Sequence, residues 1–347
     1  MKNTHYILAF ALVLLLLSCS KEGADNSQVQ PPKVATLTIA MPELTAQSRA
    51  TVAATPEEKV INSMTVFIVS SGAIEQTISI DPKVPIIDAN HSWNNSTNTL
   101  TMKGLAQLDK DLTIYVVANW TPVGVTNEAT LQDAIASITA PIATPSAAAP
   151  LLLSGHVAHN FASSLSTKVQ LIRQAVKIQL TLTFTDDFVA ALATGGYTLA
   201  PTPAQVEAIN APEDSYIIAR AATPAPLTML SAAKVDGVIT TAPKHVFMAT
   251  LYLYENMMKG NTSTDAAKAT YLIVNIPYTT NGGGAVSSNL YKVQIDTKDA
   301  ANPYATFRNT LYQITGSING FGQSAISRST SHELPLLTTT TRVIPFN

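Results

Sequence analysis

Val176-Lys177-Ile178-Gln179-Leu180-Thr181-Leu182-Thr183-Phe184 alternates without a break: apolar side chains occupy every second position, with lysine, glutamine and two threonines between them. A period of two puts one face of an extended chain on a core and the other toward polar surroundings, which marks a β-strand. The same alternation recurs at 34–41, where Ala35, Leu37, Ile39 and Met41 oppose Thr36 and Thr38, and again with Tyr312, Ile314 and Ile318. Apolar runs at 64–69, 112–118, 246–254 and 271–276 are continuous instead, the pattern of strands covered on both faces. Many short strands divided by proline, glycine and asparagine turns predict an all-β chain built as sandwiches.

Helical signals are few and short. Thr126 is placed to cap a helix carrying Leu131, Ile135 and Ile138 on one side, Thr55-Pro56-Glu57-Glu58 has the order of a capping box, and Thr202-Pro203 opens a segment with Val206 and Ile209 on one side. The Ala/Pro-rich stretch 139–150 reads as a loop, and Asn281-Gly282-Gly283-Gly284 as the turn of a hairpin. Beyond the N-terminal segments about 310 residues remain, enough for two sandwich domains. The boundary is expected within 185–202, giving an N-terminal domain over 50–184 and a C-terminal domain over 185–347.

The N-terminus carries an address. Lys2 precedes an uncharged apolar run from Ile7 to Leu17, too short to span a bilayer, which needs ~20 apolar residues. It ends in Leu16-Leu17-Ser18-Cys19, the form of a lipobox, and Cys19 is the sole cysteine among the 347 residues. Residues 1–19 are therefore expected to be a lipoprotein signal peptide, with Cys19 the lipidated residue and a membrane the first destination. The polar stretch that follows reads as a tether, so that 20–49 form a propeptide of tether plus first strand. With one cysteine no disulfide can form within the chain.

Templates for chemistry fail one by one. Net charge is −2 and charged residues make up only 13% of the chain, which leaves no basic footprint for nucleic acid. His156 and His159 are the closest histidine pair, but i, i+3 spacing on a strand points them to opposite faces and no carboxylate or cysteine completes a zinc set. The glycine run at 282–284 is not followed by Gly-Lys-Ser/Thr, and Ser154-Gly155 lacks the first glycine of a nucleophile elbow. The adjacent carboxylates Glu57-Glu58 and Asp186-Asp187 diverge on a strand, and the first pair suits a helix start. No enzyme, cofactor or metal is expected. Trp93, Trp120, Tyr252 and Tyr254 are the aromatic candidates for stacking on sugars, Trp93 lying in a polar stretch with His91, Asn94 and Asn95.

Residues 43–54 are small and polar, and Arg49 is the one arginine between residues 22 and 172. Exposed segments of small residues are where proteases cut, so Arg49-Ala50 offers an arginine-specific protease a single target. Around it stand motifs in a fixed order: the lipobox, the first strand, Arg49, Thr65-Val66-Phe67-Ile68-Val69, and Leu112-Thr113-Ile114-Tyr115-Val116-Val117-Ala118-Asn119. They continue with Pro150-Leu151-Leu152-Leu153-Ser154-Gly155, Val169-Gln170-Leu171-Ile172-Arg173-Gln174-Ala175-Val176-Lys177-Ile178, and Leu251-Tyr252-Leu253-Tyr254-Glu255-Asn256. Last come Arg308-Asn309-Thr310-Leu311-Tyr312-Gln313-Ile314 and Gly320-Phe321-Gly322. In this order the motifs resemble the fimbrillin family, the type V pilins of Bacteroidales. One departure is Val176, where the family has alanine before lysine.

The resemblance implies two transthyretin-like sandwiches, export as a lipoprotein, cleavage after Arg49 and polymerisation by strand exchange into a cell-surface fimbria that serves adhesion and biofilm formation. The partners implied are other fimbrial subunits, the protease and the membrane, with the surface ligand unnamed. Leu37, Ile39 and Met41 would lie on the exchanged strand. The C-terminal tail over 323–347, with Leu334, Leu336, Leu337, Val343, Ile344 and Phe346 among threonines, is the candidate donor strand; a strand folded back into its own domain is the alternative. A fimbrial tip adhesin and a monomeric carbohydrate-binding surface lipoprotein remain as other readings of the whole chain.

Overall fold

A computed structural model describes residues 33–40, 54–105, 109–200, 203–220, 228–231, 234–241, 243–258, 263–281, 283–284, 286–323 and 334–345. Cys19, Met41, Arg49, Ala50 and Phe346 lie outside these residues.

The first half carries β1 (Val34–Ala40), β2 (Met64–Ser70), β3 (Ala73–Ile80), β4 (His91–Asn94), β5 (Thr99–Lys103), β6 (Leu112–Ala118), β7 (Ile135–Ser137), β8 (Leu153–His159), β9 (Ser166–Gln170) and β10 (Ile172–Arg173). One sheet has the order β4-β5-β1-β9 and a second the order β10-β8-β6-β2-β3. Between them Leu37, Ile39, Trp93, Leu100, Met102, Val66, Ile68, Ile114 and Val116 form a single core. The opposite faces of β2 and β6 are buried too. Phe67, Val69, Tyr115 and Val117 pack on Ile217, Ile218 and Tyr254 from the second half. That two-sided burial is why these strands read as continuous apolar runs.

The second half carries β11 (Ala175–Phe184), β12 (Tyr197–Leu199), β13 (Ala204–Ile209), β14 (Asp214–Tyr216), β15 (Lys234–Thr240), β16 (Val246–Tyr254), β17 (Tyr271–Asn275), β18 (Tyr278–Thr280), β19 (Leu290–Gln294), β20 (Thr310–Ile318) and β21 (Thr339–Pro345). Eight of them run in the order β19-β17-β13-β15-β16-β11-β20-β21. The sheet folds over on itself at β15, whose first residues pair with β13 and whose last pair with β16. Gly237 stands at the change of partner, where an added Cβ would lie 2.2 Å from the Phe247 ring. Strands that switch sheets make the corners of such sandwiches. Inside, Ile178, Leu180, Leu182, Phe247 and Ile314 meet Val206, Leu272, Val274 and Val293.

The all-β expectation holds, and the sheets correct several details. β11 is the middle of the second sandwich and not the last strand of the first, so the division falls beside Gln174 and not after Phe184. The segment expected as a helix after Thr202-Pro203 is β13, with Ala204, Val206 and Ala208 inward. The helix expected from Thr126 is α1 (Glu128–Gln132): its cap is Asn127, whose side chain accepts from the Thr130 amide, and Ile135 already belongs to β7. α2 (Asp186–Thr194) occupies the expected linker, capped by Thr185 and anchored by Phe188 and Leu192. Thr55–Glu58 forms only a 3-10 turn over Glu57–Lys59. α3 (Ser263–Lys268) is a further short helix among the described residues.

Candidate functional site

β1 is an inner strand. It pairs antiparallel with β5, Val34 opposite Lys103 through Thr38 opposite Thr99, and parallel with β9, Thr36 opposite Ser166 through Ala40 opposite Gln170. The ladder is carried past the regular pairs. The Thr36 amide donates to the Leu165 carbonyl at 2.8 Å, the Ile39 amide to the Asn98 carbonyl at 2.8 Å, and the Leu171 amide to the Ala40 carbonyl at 2.8 Å. Ala35 and Leu37 are fully buried and Ile39 is 1% exposed. Without β1, its neighbours would stand two strand spacings apart, ~10 Å, each with an unpaired edge over an opened core. Of the residues expected on this strand, Leu37 and Ile39 are in place.

β9, β10 and β11 follow one another with single residues, Leu171 and Gln174, between them. The chain thus passes from the first sheet (β9 on β1) to the second (β10 on β8) and into the second sandwich (β11 on β16 and β20). The first crossing requires close approach: a Cβ at Gly155 of β8 would lie 2.1 Å from the Gln170 carbonyl oxygen. Because the obstacle is backbone, Gly155→Ala is expected to lower stability by about 1–3 kcal/mol, read as the urea midpoint of the full chain. A change below ~0.5 kcal/mol would show that the contact relaxes freely.

The second crossing is a polar joint. Arg173 and Gln174 are fully buried. The Gln174 amide donates to the carbonyls of Tyr216 and Ile217 at 2.7 Å each, and the Ser154 hydroxyl donates to the same Ile217 carbonyl at 2.6 Å. Arg308 donates to the Tyr216 carbonyl at 2.9 Å and pairs with buried Glu255. The Arg173 amide donates to the Asn309 side chain at 3.2 Å. On the other side of β11, Lys177 pairs with Glu58 at 2.5 Å, and Glu58 also accepts from the Tyr252 hydroxyl and, at 2.7 Å, from the Thr55 amide. Burial first, and then the Glu58 carboxylate, push the Tyr252 phenol well above its ordinary range. Asn119, at φ 61°, holds the Val60 and Leu151 carbonyls at 2.8 and 2.7 Å. Motif residues from distant segments therefore meet at this joint, which the spacing of the motifs gave no means of seeing.

The C-terminal tail closes its own sandwich. β21 runs antiparallel along β20, Thr310 opposite Pro345 through Gly316 opposite Thr339. Just before it, the Lys292 amide donates to the Pro335 carbonyl at 3.0 Å and the Leu337 amide to the Lys292 carbonyl at 2.9 Å, so the tail also lines β19. Leu337 and Ile344 are buried, Leu334 and Val343 half-buried, and Leu336 exposed. Among the sugar-stacking candidates, Trp93 sits inside the first core on β4, and Tyr252 and Tyr254 are buried; Trp120 is half-buried. His156 stacks on Tyr115, and His159 meets the edge of Phe161. Among the described residues no three histidine, cysteine, aspartate or glutamate side chains gather as a metal site.

Residues 35–168 match the family described as Major fimbrial subunit protein (FimA). Among solved structures, a candidate cell adhesion protein from Bacteroides eggerthii superposes with a TM-score of 0.58 at 18% identity, covering 91% of this chain and 97% of that one. A fimbrilin from Porphyromonas gingivalis gives 0.53 at 14% identity, with 92% and 98% covered. The tip fimbrial protein Mfa3 from the same organism, truncated at its C-terminus, gives 0.50 at 12% identity, with 90% and 99% covered. At these identities the likeness is one of fold. No curated protein sequence matches the chain.

Proposed function

We propose that this chain, on the premise that its residues 35–168 match the major fimbrial subunit family, is a structural subunit of cell-surface fimbriae that is exported as a precursor and activated by loss of its first strand. The precursor is anchored in the outer membrane through lipid on Cys19. An arginine-specific protease cuts after Arg49, nine residues beyond the end of β1. The segment ending at Arg49 then leaves, and an extended strand from another subunit takes its place between β5 and β9, in an assembly that serves adhesion and biofilm formation. Such exchange combines main-chain pairing with side chains seated in pockets, and repetition of a contact that does not close gives a filament.

One observation carries the reading: β1 fills an inner slot with Ala35, Leu37 and Ile39, yet is joined to the rest of the chain by the segment that bears Arg49. The test uses purified residues 20–347 treated with trypsin. Edman sequencing is expected to find a new N-terminus at Ala50. The clipped chain, and not the uncut one, is expected to capture a biotinylated peptide with the sequence of β1, and Arg49→Ala should abolish both the cut before Ala50 and the capture. Clean clipping at Arg49 with no peptide captured would sink the exchange mechanism.

A further inference from the structure

We infer that the far end of the second sandwich carries a carbohydrate-binding site, in which Phe321 stacks on the ring of a neutral sugar and the Tyr197 and Tyr278 hydroxyls bond the sugar's own hydroxyl groups. The site is complete in the uncut chain and does not involve β1.

β11, ten residues long, leaves the joint at Ala175, and β20 runs parallel beside it, so the two end together about 30 Å away. There the Thr185 amide donates to the Ile318 carbonyl at 2.9 Å. α2 follows β11, and the loop bearing Phe321 follows β20. The ribbon of β12 and β18 pairs Tyr197 with Thr280 and Leu199 with Tyr278, which turns both tyrosines to one face. The Phe321 ring meets that face, 5.5 Å from Tyr197 and 5.3 Å from Tyr278 between centroids, and stands edge-on to Phe188 at 5.2 Å. Despite these neighbours Phe321 is 46% exposed.

The exposure is built in. The Gly320 carbonyl accepts from the Tyr291 hydroxyl at 2.8 Å, and the Gly322 amide donates to the Asn289 side chain. Asn289 and Tyr291 are themselves buried and bonded to each other at 2.6 Å. An added Cβ at Gly322 would lie 2.4 Å from the Leu290 carbonyl oxygen, so the loop runs tight against β19. Backbone on both sides of Phe321 is pinned, and an apolar ring is held in water at a fixed place, the preorganisation that binding rewards.

The surroundings select the occupant. No charged residue and no histidine occurs over 188–206, 269–291 or 309–327, the segments that supply these rings; Asp186 and Asp187 stand just before the first. A phosphate, a nucleic acid or an acidic glycan would find no cation there to pair with. Among the described residues no hydrogen bond occupies the Tyr197 or Tyr278 hydroxyl. Phe321 offers about 100 Å² of apolar surface, and Val286 is the other large apolar side chain exposed in these segments. That falls far short of the ~800 Å² per partner of a stable protein interface. It suits one sugar ring, whose C–H face can stack on the aromatic face while its rim of hydroxyls reaches the phenols.

The test applies fluorescently labelled, uncut residues 20–347 to immobilised neutral, sialylated and sulfated oligosaccharides. Binding is expected on neutral members alone. Phe321→Ala should weaken it about 3- to 10-fold, and Tyr278→Phe, which removes a single hydroxyl, about 2- to 10-fold. Phe321→Trp, which keeps a ring in place, should retain it, and Val238→Ala, on the exposed face of β15, should leave it unchanged. Urea midpoints check that each variant folds; if Phe321→Ala does not, Tyr278→Phe decides. No binding to any neutral member, binding confined to the charged members, or neutral binding that the folded site variants leave unchanged would overturn the inference and leave the strand-exchange reading untouched.

Discussion

Lys177→Met is expected to destabilise the folded chain by about 3–5 kcal/mol. The substitution keeps the volume and removes the charge, so the cost falls on Glu58, which is 1% exposed and would hold its carboxylate against Tyr252 and the Thr55 amide with its paired ammonium gone and only the neighbouring Arg173 left as a cation. Breaking one side of a buried pair costs more than replacing both. The double variant Glu58→Gln/Lys177→Met should therefore recover a large part of the loss. Urea midpoints of the four chains in the cycle check it. A Lys177→Met loss below ~1 kcal/mol, in the range of an exposed pair, would mean that water reaches the joint.

Leu37→Ala should cost the uncut chain about 2–5 kcal/mol, because the removed methyl groups leave a void between the two sheets of the first sandwich. The same substitution should have no effect once trypsin has cut after Arg49 and the N-terminal segment has left, since residue 37 leaves with it. In the interval the clipped variant should release that segment faster than the clipped parent. Thermal melting of uncut and clipped proteins, with the released segment followed by mass spectrometry, separates these outcomes. A clipped variant that stays as weak as the uncut one would show that β1 does not leave.

How far the sequence reaches depends on how local the signal is. The alternation of β1, β11 and β20 was legible because a strand between a core and a polar face writes its period into the residues. Residues 202–209 carry two conflicting signals: Thr202-Pro203 has the form of a helix start, whereas the strand that forms follows the inward alternation of Ala204, Val206 and Ala208. α2 has local signals of its own, Thr185-Asp186-Asp187 at its start and Gly195-Gly196 at its end, but they fall in the stretch 185–202 that reads as a boundary between domains. The passage between the two sandwiches is silent in the sequence for a simpler reason. β9, β10 and β11 run on with no turn residue between them, so nothing in the residues marks the passage from one sandwich to the next. The slot was half legible. β1 declared itself as a strand, whereas its neighbours β5 and β9 are short and are fixed by pairing across long stretches of chain. The joint was invisible. Glu58 reads as a carboxylate at a helix start, and Arg173, Gln174 and Arg308 stand in motifs whose order says nothing of burial, since a buried pair leaves no period in the sequence.

The unbroken passage from β9 to β11 also decides how the proposed subunit would bear tension. A tug on β1, or on a strand that replaced it, would reach β9 sideways through its ladder, then travel along peptide bonds through Gln174 into β11, whose neighbours β16 and β20 grip it in shear. The sandwiches need not hold each other by surface cohesion for the pull to cross, and the covalent chain, already extended over 166–184, has little slack to give.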